Sequence, residues 1–358
     1  MVYNVEKRGV VTVDAYQKLV PAVLNWYDRG HRDLPWRKDR QPYHIWLSEI
    51  MLQQTRVEAV KGYYTRFLHQ LPTIADLAQA PQEQLLKLWE GLGYYNRARN
   101  LQKAARVIME RHGGRFPDTY EEILALPGIG SYTAGAIGSI AFGLPTPAVD
   151  GNVLRVIARL TEDSTPVDLP VFRKKAQQAL AAVYPERAGD FTQGLMELGA
   201  TVCGPNTKPD CVNCPCREFC GGAIHGTAEQ FPVRLPKKDK KLQHLTVLLI
   251  TAEGKVALRK RPAQGLLANL WEFPHVPGTL EAEVLWQTLS DLGLKLRSIR
   301  RQRDKSHIFT HIRWEMRGFD VEAEACGGDF TWMTPEQITK EAALPTAFRQ
   351  FWEDGEDV

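Results

Sequence analysis

Five of the six cysteines in this 358-residue chain fall within one short stretch, CGPNTKPDCVNCPCREFC, at Cys203, Cys211, Cys214, Cys216 and Cys220. Thiolates crowded at loop spacing usually share a metal, because a soft ion or cluster needs several sulfurs converging on it. One choice of four reads C-x7-C-x2-C-x5-C. Zinc prefers two well-separated C-x2-C knuckles. Only one knuckle is present, so the compact loop suits a 4Fe–4S cluster held by four thiolates better, with zinc still open on spacing alone. Five sulfurs for four places leave Cys216 as the outsider. Cys326 stands alone and is read as a buried thiol. Six cysteines in a chain of this length do not make a disulfide scaffold.

A second motif is chemical through its backbone. Leu126-Pro127-Gly128-Ile129-Gly130 separates the helical stretches TYEEILAL and SYTAGAIGSIAF. Gly128 and Gly130 let N–H groups approach an anion, and the following helix points its N-terminus at it. Such a turn binds a phosphate without reading a base. An ordinary helix–helix turn with glycine at its C-cap has the same composition. Two carboxylates complete the candidates. Glu49 lies in the apolar stretch IWLSEIMLQQ, where burial raises its pKa and holds a proton. Asp150, in PAVDGN, follows the small-residue helix, and its plain reading is the N-cap of NVLRVIARL.

The elements that must position these groups divide the chain in two, as its length suggests. Apolar stripes of helical period run through AYQKLVPAVLNWYDRG, HIWLSEIMLQQTRVEAVKGYYTRFLHQL, EQLLKLWEGL, RNLQKAARVIMERHG and FRKKAQQALAAVY. An all-helical domain is expected over 8–225, with a six-helix part at about 35–145 and the cysteine-bearing part formed by 8–34 and 146–225. A basic, Pro-flanked linker is expected over 226–242. Strand-like runs, LTVLLITAEG, KVALRKR, HIFTHIRWEMRGFDV and GDFTWMT, with the helix EAEVLWQTLSDLG between them, make 243–358 a smaller α/β domain.

At 44% hydrophobic and 24% charged, the composition is that of a globular chain. No apolar run reaches membrane-spanning length, and the charged N-terminus lacks a signal-peptide core, so a cytoplasmic, nucleoid-associated place is expected. Net charge is only +3. Basic residues cluster in three runs, Arg97–Arg115, Arg234–Lys241 and Lys295–Lys305, which lean towards a polyanionic partner.

Taken together, LPGIG-S-Y-TA and VDGNV (149–153) resemble the helix-hairpin-helix DNA glycosylase superfamily. Within it, PWR…PYHIWLSEIMLQQTRV (35–57) and GLGYYNRARNL (91–101) resemble the adenine DNA glycosylases. GLLANLWEFP (265–274) and HIFTHIRWEM (307–316) resemble the entry and the recognition hairpin of that family's C-terminal domain, which is Nudix-like. Two departures stand out: the first cysteine interval is seven residues where the family has six, and the hairpin reads Phe309-Thr310-His311 where the family has Phe-Ser-His.

The resemblance implies hydrolysis of the glycosidic bond of adenine mispaired with 8-oxoguanine, or with guanine. Glu49 would be the protonated acid and Asp150 the ionised carboxylate beside an oxocarbenium-like sugar. Tyr132 stands where the related bifunctional enzymes, resembling endonuclease III, carry a Schiff-base lysine. It is expected to hydrogen-bond near Asp150 and steady the sugar. Asn152 is expected to orient the carboxylate or a water. Gln54 and Tyr94 would wedge the stack while the base is flipped out, with Thr55 and Leu92 near the 8-oxoguanine. Arg32, Leu52 and Gln193 would line the adenine pocket. Arg37, Gly128 and Gly130 would contact DNA, and Phe309, Thr310 and His311 would inspect the damaged base. Cys203, Cys211, Cys214 and Cys220 would hold the 4Fe–4S cluster. The partner expected is double-stranded DNA bound by a monomer, with no membrane.

Three other readings compete. An endonuclease III-like glycosylase with lyase activity is disfavoured by Tyr132 and the second domain. A non-catalytic Fe–S DNA-binding protein is disfavoured by Glu49 and Asp150. A working Nudix pyrophosphohydrolase needs an acidic helix for its metal, and Trp286–Gly293 carries only Asp291.

Overall fold

A computed structural model describes residues 5–205, 208–236 and 239–353, with side chains from Asp14 onward. In chain order the helices are α1 (Val5–Arg29), α2 (Pro42–Met51), α3 (Val57–Gln70), α4 (Ile74–Gln79), α5 (Gln82–Leu88), α6 (Asn96–Arg111), α7 (Tyr120–Leu124), α8 (Ser131–Phe142), α9 (Gly151–Thr161), α10 (Pro170–Ala181), α11 (Ala188–Thr201) and α12 (Gly221–Ile224). Then come β1 (Lys241–Ala252), β2 (Lys255–Lys260), β3 (Trp271–Glu272), β4 (His275–Pro277), α13 (Leu285–Asp291), β5 (Leu296–Ile308), β6 (Ile312–Ala323), β7 (Thr331–Met333), α14 (Pro335–Glu341) and α15 (Thr346–Glu353). Two compact units result: the described residues up to Gln79 with Asn100–Pro236, and Ala80–Arg99 with the described residues beyond Pro236.

The first unit is helical. Its core gathers Leu19 and Val23 of α1, Val153 and Ile157 of α9, Phe172 and Leu180 of α10, and Phe191 and Leu195 of α11. The long apolar stretch 44–71 is not one helix. It breaks between α2 and α3 because Gln54 takes a left-handed φ of 58°, which no α-helix can continue. Proline opens α2 at the favoured first position. Tyr43 and every residue from Ile45 to Met51 are buried, so Glu49 is carried into the interior by its neighbours. The hairpin forms as the glycine pattern implies. Gly128 has φ 77°, and a Cβ there would sit 2.5 Å from Cβ of Asn100, so both conformation and space demand glycine. Gly130, in extended backbone, is the N-cap of α8.

The second unit contains a sheet ordered β3-β2-β1-β6-β5, with β4 also pairing β1 and β7 pairing β2. β1 runs parallel to β6 with Leu245 opposite Met316, and β5–β6 is an antiparallel hairpin. Both faces of β1 are covered, which is why LTVLLIT reads as a continuous apolar run rather than an alternation. Val247 and Leu249 pack with Trp314, Phe348 and Phe351 on one face; Leu248 and Ile250 pack with Phe319, Leu285 and Leu289 on the other.

The expected boundaries shift in two places. Residues 80–99, read from sequence as part of the helical domain, belong to the second unit. The Lys87 ammonium donates to the carbonyls of Ala342 (2.9 Å) and Ile338 (3.3 Å), and Glu90 accepts from the Leu344 amide at 2.7 Å. The expected linker 226–242 also starts late. Residues up to Pro236 belong to the helical unit, where Val167 N–H donates to Val233 O and Arg159 Nε to the Phe231 carbonyl. Lys237 and Lys238 lie outside the described residues.

Candidate active site

A cavity of about 620 Å³ opens in the helical unit. Glu49, Tyr132, Asp150 and Asn152 all face it, together with Arg32, Arg37, Leu52, Gln54, Thr55, Gly130 and Gln193. The hairpin therefore brings its first turn, Gly130 and Tyr132, to the same space as the carboxylate of α2 and the N-terminus of α9.

Glu49 is 5% exposed. Burial pushes its carboxyl up to about 7, opposed by a hydrogen bond from Tyr132 and assisted by the charge of Asp150. The Tyr132 hydroxyl donates to Glu49 Oε2 at 2.5 Å and touches Met196 Sδ at 3.4 Å. The phenol's partner is thus Glu49, and the phenol also feels the charge of Asp150. Its own pKa is pushed well up by burial and by Glu49, so it stays a donor.

Asp150 caps α9, accepting from Val153 N–H at 2.8 Å, and it also faces the cavity. The capping residue and the cavity-facing carboxylate are thus the same group. Asn152 Nδ2 donates to its other oxygen at 2.7 Å. Burial raises the Asp150 pKa, against these donors and the nearby Arg155 guanidinium. Asn152 is itself held: Arg155 Nη2 donates to its Oδ1 at 2.8 Å and to the Gly199 carbonyl at 2.7 Å. A Cβ on Gly199 would lie 2.6 Å from Asn152 Cβ, so glycine is what lets α11 approach the first turn of α9.

The far wall is a charge cluster. Arg32 Nε and Nη2 grip Glu197 at 2.7 and 2.8 Å, and Arg37 Nη2 reaches the same carboxylate at 2.8 Å. Burial alone would raise the Glu197 pKa; the two guanidinium groups overcome it and hold the carboxyl at about 2. Glu197, Met196 and Arg173 line the cavity and are not among the sequence-derived candidates. They ride on α11 and α10. The signal was available in FTQGLMELGATV, whose helical stripe places Gln193 and Glu197 four apart on one face.

The second unit holds the remaining candidates. Phe309, Thr310 and His311 form the turn between β5 and β6, closed by Phe309 N–H to Ile312 O at 2.8 Å. Lys240 donates to the Phe309 carbonyl at 2.6 Å, and the Phe309 ring packs edge-on against Trp314 and His307. Of the neighbouring tyrosines, Tyr95 is buried and Tyr94 is 49% exposed with φ 48°. The Tyr94 hydroxyl lies 3.4 Å from Thr310 Oγ1. Leu92 is buried. On α13, Asp291 is occupied by a 2.7 Å bond from Gln287.

The cysteine loop packs on the core of the helical unit, with Cys216 fully buried and Cys203, Cys214 and Cys220 partly so. Among the described residues, no three His, Cys, Asp or Glu side chains are arranged to hold a metal ion. The donor chemistry does fit a thiolate-bound cluster. Charge on Cys214 is felt by Cys203, Cys211 and Cys220, so the four thiols share one locality. Cys216 bonds to Cys214, which lowers Cys214 to about 7 and pushes Cys216 well up. Arg159 Nη1 donates to Cys203 Sγ at 3.1 Å, a contact suited to a thiolate. Asn206 and Thr207, within the long first interval, lie outside the described residues.

Some members of the basic runs have partners within the fold. Arg97 donates to the Leu92 and Gly93 carbonyls, and Arg106 to Ala78 O. Arg297 and Arg300 pair with Glu322, and Arg303 with Asp320. Within these runs the cross-strand pairs and carbonyl contacts fix the named side chains in place, with Arg297 and Arg300 still at the surface.

Residues 47–176 match the model of the HhH-GPD superfamily of base excision DNA repair proteins, and residues 246–354 match the NUDIX domain. The adenine DNA glycosylase of Homo sapiens is 35% identical, over 96% of this chain and 74% of its own. The chain belongs to the adenine DNA glycosylase family. Solved structures similar to it include a thermostable thymine-DNA glycosylase (TM-score 0.54, 32% identity, 59% of this chain and 98% of that one) and endonuclease III trapped as a covalent intermediate with DNA (TM-score 0.50, 25% identity, 58% and 94%). This adenine DNA glycosylase family member thus joins a helix-hairpin-helix glycosylase domain to a Nudix-like sheet domain. No described helix is long and apolar enough to cross a membrane.

Proposed function

We propose that the chain removes adenine opposite 8-oxoguanine, and opposite guanine, as a monofunctional glycosylase acting on duplex DNA. The observation that carries this reading is the unequal set of partners of two buried carboxylates on one cavity: Glu49, raised to about 7, has the Tyr132 phenol, while Asp150, also raised by burial, has the Val153 amide, Asn152 and the nearby Arg155 guanidinium opposing that rise. Glu49, protonated, donates to a ring nitrogen of the flipped adenine and makes it a neutral leaving group. Asp150 stays ionised and stabilises the positive sugar as the glycosidic bond breaks. Tyr132 holds Glu49 in place through its 2.5 Å bond and offers no amine, so no Schiff base forms and the strand stays intact.

Gln54, left-handed and lining the cavity, suits insertion into the gap left by the flipped base, and Tyr94, exposed with φ 48°, is the second wedge that the family resemblance implies. Arg32, Leu52 and Gln193 form pocket wall, with Thr55 beside them. The Phe309–His311 turn presents two polar side chains for the 8-oxoguanine edge. Cys203, Cys211, Cys214 and Cys220 would hold a 4Fe–4S cluster, which supplies a rigid staple for the loop.

A duplex with a central A·8-oxoguanine pair tests the reading. Strand cleavage only after alkali is expected, with about four irons per chain and a brown colour in the same preparation. Alkali-independent cleavage would indicate a lyase, and binding without product a non-catalytic protein.

A further inference from the structure

A second concavity, about 520 Å³, adjoins the first on the helical unit, since Gly151 and Arg173 line both. Three cations, Arg173, Lys174 and Arg234, line it against one carboxylate, Asp168. Asp168 is committed to Arg234 (3.3 Å) and to the Leu235 amide (3.0 Å). Arg173 is anchored on the Val149 carbonyl, one residue before Asp150. Lys174 is exposed and, unlike its neighbour Lys175, which pairs with Asp163 at 2.6 Å, makes no ion pair among the described residues.

Two helices also begin here. α9 starts at Gly151 and α10 at Pro170, and no side chain caps α10. Asp150 already caps α9, so the positive end left without a side-chain cap along the groove is that of α10. Gly151 adds an independent sign. It is exposed, and a Cβ built on it would meet no atom within 4 Å. Nothing in the protein needs a glycine there, and glycine is a poorer helix former than alanine. A bare backbone at that point suits something approaching from outside.

We propose that this groove seats a backbone phosphodiester of the DNA strand that delivers its base to the adjoining cavity. The proposal rests on the glycosylase reading above and extends it to a specific anion site. Lys174 supplies charge, Arg173 both charge and a fixed link to the loop of Asp150, and Gly151 the close approach. The contact reads no base, so it registers the strand rather than the lesion.

The test is duplex affinity against salt for the full chain, on an A·8-oxoguanine duplex and on an undamaged one of the same length. Lys174→Gln should make the slope of log K against log salt shallower by about 0.9, equally on both duplexes. Lys175→Gln, one residue along, should leave the slope unchanged. Single-turnover excision by Lys175→Gln at saturating enzyme should equal wild type. An unmoved slope in Lys174→Gln, or an equal change in Lys175→Gln, would overturn the assignment. Failure of wild type to release adenine, with the slope change present, would instead count against the glycosylase reading.

Discussion

Two walls of one cavity carry the same side chain in opposite states. Glu49 is 5% exposed and Glu197 is 2% exposed, so burial alone does not tell them apart. Glu197 receives two guanidinium groups and is held at about 2; Glu49 receives one phenol and sits at about 7. The difference is the partners that the folding brings. A desolvated carboxyl keeps its charge only where fixed cations replace water, and keeps its proton where they do not. One wall is thereby an ion cluster, and the other holds a carboxyl whose pKa is raised to about 7.

The largest expected effect comes from removing the donor. Glu49→Gln keeps the shape but has no carboxylic proton, so single-turnover excision should fall by at least ~10²–10⁴ while duplex binding persists. Near-normal excision would mean that the raised pKa is structural. The matching change on the other wall, Glu197→Gln, should cost stability. It strips the anion from two guanidinium groups, one of them well buried, and breaking such a cluster costs about 3–5 kcal/mol, at the lower end here because Arg32 is 37% exposed. Urea unfolding at neutral pH measures it.

The same pair should differ in sign with pH. Glu197 is depressed when folded, so its stabilisation is present above the ordinary 4.5 and is lost as pH falls towards about 2. Glu49 is raised when folded, so it destabilises the fold as pH rises from 4.5 through about 7. Glu49→Gln should therefore be more stable than wild type at pH 8, by up to about 3 kcal/mol at 1.36 per unit, with the gap closing towards pH 4.5. A gap independent of pH would break the comparison.

The smallest effect belongs to the other unit. Thr310→Ala with His311→Ala removes polar reach from an exposed turn, where a hydrogen bond is worth about 0.5–1.5 kcal/mol. The preference for A·8-oxoguanine over A·G should narrow, and single-turnover excision from A·G should change little. Unchanged discrimination would place specificity on Gln54, Thr55, Leu92 and Tyr94.

The carboxylates, the hairpin glycines and the crowded cysteines were legible because their residue types carry the chemistry in the sequence itself. Glu49 could be read as buried because seven consecutive residues around it are apolar or small. What escaped was what only packing decides. Glu197 looks like any helical glutamate until Arg32 and Arg37 arrive from 160 residues or more away. Tyr132 bonds Glu49 because the first turn of α8 faces α2, which no local pattern states. The break at Gln54 hides inside an unbroken apolar stripe. Residues 80–99 join the second unit through Lys87 and Glu90, whose partners are backbone groups with no sequence signature.

The proposed reaction turns on the proton of Glu49, and the pH profile of single-turnover adenine release from an A·8-oxoguanine duplex tests that role most directly. With Glu49 as the acid, the rate constant should hold steady below about 7 and then fall about tenfold per pH unit, the alkaline limb disappearing in Glu49→Gln along with the activity. A rate that stays level or rises from pH 7 to 9 would contradict the account.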